Sequence, residues 1–300
     1  MCGIIGYTGY RNAQPVILDG LKRLEYRGYD SAGIAIINKK LQIHKQIGQI
    51  SNIIQTIPTY PGTTGIGHTR WATHGKVTQQ NAHPLHNTKK TIAIVHNGII
   101  ENYQTLKKQL QQNGTSFTTQ TDSETIAHLI DTHYTTTFQH AILKTITEIN
   151  GSYAIVAISQ HDPHTIIAAR NESPLVLGIG DNENLVASDI PALLKYTNRV
   201  IYLDDGEIAI LTPKNITIMD QNGTPKTKKT HIVTWDVKDA EKAGYPHYML
   251  KEIHEQPHAL TQGLLGRISE INRTITFHEN IETLIKNPPQ KIHLIACGTS

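Results

Sequence analysis

The chain has 300 residues, 38% hydrophobic and 18% charged, with a formal net charge of +3 at pH 7. These values describe a globular chain with room for one large domain, or one domain and part of another, and they exclude a polar disordered chain. The basic residues are scattered, so the concentrated cationic face of a nucleic-acid binder is not expected, and no apolar run approaches the ~20 residues that cross a bilayer.

The first strand signal, Ile4–Thr8, begins directly behind Met1-Cys2-Gly3. A helix follows, with Pro15 in its first turn and Ile17, Leu21 and Leu24 on one face. Gly33–Ile37 and Thr91–Val95 read as strands, the second apolar at almost every position. Asn102–Asn113 reads as a helix stopped by Gly114. Thr121-Asp122-Ser123-Glu124 has the form of a capping box ahead of Ile126, Leu129 and Ile130, and Phe138–Asn150 places Phe138, Ile142, Ile146 and Ile149 on one side. Six further strands are expected at Tyr153–Ile158, Thr165–Ala169, Leu175–Ile179, Arg199–Leu203, Glu207–Leu211 and Asn215–Met219. Strands apolar on both faces, with too few helices to cover both sides of one sheet, point to two sheets packed together with helices outside. The expected fold class is therefore α+β, a four-layer αββα sandwich.

Beyond about Trp235 the pattern changes. His247–Ser269 has helical periodicity interrupted by Pro257, and Ile281–Lys286 is a second, polar helix leading into Asn287-Pro288-Pro289. Lys291–Ala296 then reads as a strand running into Cys297-Gly298-Thr299-Ser300, the way a phosphate-cradling loop begins. The expected organisation is a domain over 1–235, a helical linker over 236–290, and over 291–300 the start of a domain that the chain does not complete.

Two cysteines, Cys2 and Cys297, form no disulfide framework and suit a cytoplasmic protein, and no secretory signal is evident. Cys2 follows the initiator Met1, which is normally trimmed before a small residue. A cysteine with a free α-amine joins a thiol of pKa ~8.5 to a base of pKa ~7.7–8.0, a compact nucleophile and base. On its own, position 2 can equally be an accident of a small residue.

Arg70, in the run Gly67-His68-Thr69-Arg70-Trp71-Ala72-Thr73-His74-Gly75, has the planar fork that holds a carboxylate, or it is a structural arginine. Trp71 reads either as core or as a pocket-closing side chain. Asn97-Gly98 is a turn dipeptide or an oxyanion hole made of a side-chain amide and a backbone N–H. Asp122 complements a helix N-terminus or, with Thr121 already capping, binds an ammonium. The seventeen histidines match no zinc-ligand spacing, so no metal site is expected.

Taken in order, Cys2–Gly6, Arg23–Gly33, His68–Gly75, His96-Asn97-Gly98 and Thr121–Glu124 resemble the class II glutamine amidotransferases, and over Arg23–Gly33 and His247–Pro257 their amino-sugar-forming branch. The resemblance implies an N-terminal-nucleophile hydrolase fold, glutaminase chemistry without cofactor or metal, and L-glutamine as substrate. It implies Cys2 as nucleophile, Asn97 and Gly98 as the oxyanion hole, and Arg70 and Asp122 on the α-carboxylate and α-ammonium of glutamine. Trp71, Thr73 and His74 would form the closing loop, with the tryptophan also gating ammonia, and Arg27 and Gly28 would lie against the nucleophile. It further implies that fructose 6-phosphate binds only through a sugar-isomerase domain begun at 291–300 and that a full-length enzyme dimerises; the scattered charge and the lack of a long apolar run leave neither nucleic acid nor membrane as an expected partner. The rival readings are another class II amidotransferase and a glutamine-binding module without turnover.

Overall fold

The computed structural model describes residues 2–72, 75–234, 244–264, 268–269, 274–275, 290–291 and 293. The chain divides into two compact units, residues 1–237 and 238–300.

In the first unit the elements run β1 (Gly3–Thr8), α1 (Ala13–Arg23), β2 (Ser31–Asn38), β3 (Lys40–Ile47), α2 (Ile50–Thr56), β4 (Thr64–Arg70), β5 (Leu85–His86) and β6 (Ile92–Ile100). They continue with α3 (Tyr103–Gln112), α4 (Glu124–His133), α5 (Phe138–Glu148), β7 (Gly151–Ser159), β8 (Asp162–Asn171), β9 (Val176–Ile179) and β10 (Asn184–Ala187). The last strands of the unit are β11 (Arg199–Tyr202), β12 (Glu207–Leu211), β13 (Ile216–Asp220), β14 (Pro225–Lys226) and β15 (His231–Ile232).

These strands make two antiparallel sheets, one ordered β15-β11-β9-β10-β1-β4-β2-β3 and the other β14-β13-β12-β8-β7-β6-β5. Strand alternation explains the layering. Ile4 of β1, Ala35 and Ile37 of β2, Ala93 and Val95 of β6, and Val156 of β7 meet in a core between the sheets. Their neighbours Ile5, Ile34 and Ile36 face α1 and α2 instead, while Ile92, Ile94 and Ile155 face α3, α4 and α5. The expected αββα sandwich is the observed one.

The helices start and stop for local reasons. The Asn12 side chain accepts from the Gln14 N–H at the head of α1, and Lys22 and Arg23 complement its C-terminal end. Thr137 caps α5 by accepting from the His140 N–H.

The capping box at Thr121–Glu124 does not form. The residue ahead of α4 is Ser123, which makes no side-chain cap bond, and the Thr121 hydroxyl pairs with that of Thr119. The Glu124 carboxylate instead accepts from the backbone N–H groups of Thr118 and Thr119 at 2.8 and 2.7 Å, and from the Thr118 hydroxyl at 2.9 Å. The box fails because the incoming loop, rather than a Thr121 N-cap, offers that carboxylate its N–H donors.

Strands β3, β4, β5, β10, β14 and β15 and helix α2 are elements beyond those expected from the sequence. In the second unit α6 (Tyr248–Leu264) runs through Pro257 without interruption and ends before Ser269, which belongs instead to a short strand pairing of Ile268–Ser269 with Thr274–Ile275. The expected helix Ile281–Lys286 lies outside the described residues, as does the expected strand at 291–296 apart from Lys291 and His293. Among the described residues no helix is long and apolar enough to cross a membrane.

Burial alone would raise the pKa of Glu124, but the bonds from His128, Thr118 and Thr119 reverse this and hold it at about 2. Its folded value lies below the ordinary 4.5, so it stabilises the fold above that pH, and the contribution disappears as pH falls toward 2. Glu124→Gln is expected to cost on the order of 2–3 kcal/mol at pH 7 and to flatten the loss of stability between about pH 4.5 and 2, read from urea unfolding as a function of pH.

Candidate functional site

Register fixes the site's first pair. Strand β1 lies inside its sheet with β4 antiparallel beside it, and Gly3 pairs with Thr69. Cys2 therefore emerges beside Arg70, the last residue of β4, and Trp71, the first residue beyond it. The Trp71 N–H donates to Cys2 Sγ at 3.2 Å, and the thiol donates to the Trp71 carbonyl at 3.4 Å. Gly28 makes this contact possible: a Cβ there would lie 2.7 Å from the Arg70 carbonyl carbon and 2.8 Å from the Trp71 nitrogen.

The Cys2 carbonyl is held from two directions. Arg27, in the 3-10 turn Glu25–Arg27 after α1, donates from Nε at 3.1 Å, and Asn97 of β6 donates from Nδ2 at 2.9 Å. Arg27 is itself anchored by the Asp189 carboxylate at 3.1 Å, which also accepts from the Tyr26 hydroxyl. Ser188 Oγ accepts from the Ile4 N–H at 3.0 Å, so the loop after β10 holds the start of β1 as well.

Asn97-Gly98 is not a turn. It lies inside the continuous β6–β7 ladder, with Asn97 opposite Ala154 and Gly98 opposite Tyr153. Gly98 has φ of 131°, and a Cβ there would collide with the Ser152 carbonyl. Asn97 is buried while Gly98 is exposed, so an amide and an exposed backbone segment from one strand end next to Cys2 of the other sheet.

Arg70 is buried, and its guanidinium donates to the carbonyls of Lys76 and Gly75 at 3.2 and 3.3 Å. Burial lowers its pKa first, and the charges of Cys2, Asp30 and Asp122 pull it back up, which places those three groups within its electrostatic reach. Asp122 stands two residues ahead of α4 rather than at its first turn. Its carboxylate accepts from the Ile100 N–H at 2.8 Å, beyond the Asn97-Gly98 pair, and from the Ser123 hydroxyl at 3.3 Å. Trp71 is 44% exposed, so it is not core, and it meets Tyr29 edge-on at 5.4 Å. Thr73 and His74 lie outside the described residues.

Three contributors carry no strong sequence signal. Asp30 accepts from the Ala72 N–H at 2.8 Å and holds the segment beyond Trp71. Asp189 begins an Asp-Ile-Pro turn and has no local mark of its role under Arg27. His68 sits on β4 within a motif whose arginine and tryptophan draw attention first, yet its ring reaches Asn97 across the sheets at 3.0 Å.

Chemically, the cluster offers a thiol, an amide donor, a guanidinium and a carboxylate around one point. Desolvation is the largest influence on the Cys2 thiol and raises its pKa, against the opposing pull of the Trp71 N–H, Arg70 and Arg27. The thiol is therefore protonated at neutral pH in the unliganded chain.

Residues 68–195 match the family described as "Glutamine amidotransferase domain". The whole chain is 47% identical to the glutamine–fructose-6-phosphate aminotransferase (isomerizing) of Aquifex aeolicus and 46% identical to that of Thermus thermophilus, covering 50% of each relative. The chain thus spans about half the length of these curated relatives. Its fold matches the B. subtilis glutamine phosphoribosylpyrophosphate amidotransferase with a TM-score of 0.65 and 28% identity, over 73% of this chain and 49% of that one. Residues 68–195 thus carry a glutamine amidotransferase domain, within the two-sheet fold of the N-terminal-nucleophile amidotransferases.

Alkylation of Cys2 by iodoacetamide, followed by mass spectrometry across pH 6–10, is expected to titrate above the ~8.5 of a free thiol. A midpoint below 8 would contradict a thiol governed by desolvation.

Proposed function

We propose that this class II amidotransferase domain hydrolyses L-glutamine at Cys2 and releases ammonia. The observation that carries the reading is the meeting of Cys2, from the head of a strand in one sheet, with Asn97 of the facing sheet at 2.9 Å. A nucleophile and an oxyanion donor on separate rigid layers are held at fixed distance before substrate arrives.

In this reading Met1 is removed and the free α-amine of Cys2 accepts the thiol proton. Sulfur adds to the γ-amide carbon of glutamine, and the carbonyl π electrons move onto oxygen. That oxyanion is stabilised by the Asn97 Nδ2–H and the Gly98 N–H. The protonated α-amine passes its proton to the amide nitrogen, the C–N bond breaks, and ammonia leaves a γ-glutamyl thioester. Water, deprotonated by the α-amine, adds to the thioester and the C–S bond breaks, giving glutamate and the regenerated thiol.

Substrate recognition follows from charge. Arg70 holds the α-carboxylate of glutamine in a bidentate pair, displacing the neutral carbonyls of Gly75 and Lys76 because a charge-assisted pair is the stronger. Asp122 receives the α-ammonium. Trp71, with Thr73 and His74, closes over the bound amino acid, and Arg27 and Gly28 fix the ground on which Cys2 stands. The names of the relatives support fructose 6-phosphate as the acceptor of the ammonia, and glucosamine 6-phosphate is the product such a transfer would give.

The 300-residue chain is expected to release glutamate steadily from glutamine, to lose that activity in Cys2→Ala, and to show an intact mass lacking Met1. Glutamine binding without glutamate release would support a binding module instead. Arg70→Lys keeps the charge but loses the fork, and is expected to raise KM for glutamine ~10–100-fold with a smaller change in kcat, measured by coupled glutamate assay.

A further inference from the structure

An oxyanion donor built from an asparagine has an ambiguity that a backbone N–H lacks. The amide oxygen and nitrogen are nearly the same size, and a half-turn about the last bond exchanges donor for acceptor. If the Asn97 amide turned over, its oxygen would face the Cys2 carbonyl and the growing negative charge. Some neighbour has to choose the orientation.

His68 is the neighbour on the far side of that amide. It occupies β4, paired with Ile4 on one side and Gly33 on the other, and its ring crosses the inter-sheet space to β6. There Nε2 lies 3.2 Å from the His96 carbonyl oxygen and 3.0 Å from Asn97 Oδ1. A peptide carbonyl can only accept, so Nε2 carries the hydrogen. A nitrogen that carries hydrogen favours Oδ1 and opposes an NH2 group.

We propose that His68 is a positioning residue for glutamine hydrolysis: its Nε2–H fixes the Asn97 amide with the NH2 group toward Cys2. The proposal rests on the reading of Asn97 as an oxyanion donor. Turning the amide over would set Nδ2–H against Nε2–H and Oδ1 against the Cys2 carbonyl, two donor–acceptor mismatches in one move.

Three further features fit this role. The ring is fully buried and lies on that of His83, with centroids 4.3 Å apart, so its own orientation is fixed. Burial, helped by the nearby Arg70, holds its pKa at about 3, so it stays neutral near pH 7. Its Nδ1 is buried without a hydrogen-bond partner. A side chain that merely filled this space would be cheaper as an apolar residue, which strands no acceptor.

The test is a double-variant cycle on the 300-residue chain, read as steady-state glutamate release. His68→Leu is expected to lower kcat ~10–100-fold, less than or equal to the ~10²–10³ of losing an oxyanion donor outright, with KM changed less than ~3-fold. His68→Gln keeps an N–H able to reach Asn97 and is expected to recover most of kcat. His68→Leu combined with Asn97→Ala should be no slower than Asn97→Ala alone, because the first residue acts only through the second. His68→Met, whose flexible side chain fills the same space without a donor, replaces His68→Leu if the leucine variant fails to fold.

Wild-type kcat in both apolar variants, or an equal loss in the presence and absence of Asn97, would overturn the proposal. A rise in KM alone would overturn it too. Asn97→Ala measured by itself separates the two levels: full activity there defeats the oxyanion reading and this proposal together. Loss of activity in Asn97→Ala with unchanged kcat in the His68 variants defeats the positioning role alone.

Discussion

The site depends on how the carbonyl oxygen of Cys2 is restrained. A residue at the head of a strand has no ladder partner ahead of it and would fray. Here the peptide after Cys2 is held by Asn97 from the opposite sheet and by Arg27 from the turn after α1, with Asp189 behind Arg27. One acceptor thus ties both sheets and the loop after β10 to the same point. Breaking either donor would loosen the head of β1 at Cys2.

The same economy governs the opposite wall. Asn97 and Gly98 belong to the middle of a continuous ladder, so their positions are set by pairing with β7 and by the two hydrophobic layers that sandwich β6. A loop could present the same groups but would have to order them when substrate binds. In the proposed reaction, donors already fixed need no reorganisation as charge develops, and that is where electrostatic catalysis gains most. The ladder exacts its own requirement at Gly98, where positive φ and the Ser152 carbonyl leave space for hydrogen alone.

Much of this was legible in the sequence, for identifiable reasons. Strands such as β7, with Ala154 to Ile158 all apolar, announce burial on both faces, and the shortage of helices to cover one such sheet leads to two packed sheets. Cys2, Arg70, Asn97 and Asp122 stand out because their chemistry is unusual for their surroundings. What local pattern misreads is geometry set from a distance. Asn97-Gly98 looks like a turn until β7 pairs across it, and Thr121 looks like a cap until Glu124 finds its donors in the preceding loop. Asp189 and His68 are silent in the same way. Each acts on a partner far along the chain, Arg27 in one case and Asn97 in the other, and no short window contains both ends of such a bond.

The resting thiol gives the arrangement its chemical logic. Cys2 Sγ sits between the N–H and the carbonyl of Trp71, with Trp71 held by the close approach that Gly28 permits and Ala72 by Asp30. Burial raises the pKa of the thiol against the pull of the Trp71 N–H and two nearby cationic side chains. The Arg70 guanidinium meanwhile holds the Gly75 and Lys76 carbonyls, at the other end of the segment that begins at Trp71. A substrate carboxylate that takes over Arg70 must loosen that far end, while Asp30 retains the near end. In the proposed reaction, recognition of the amino acid is thereby linked through one arginine to the backbone at Gly75 and Lys76.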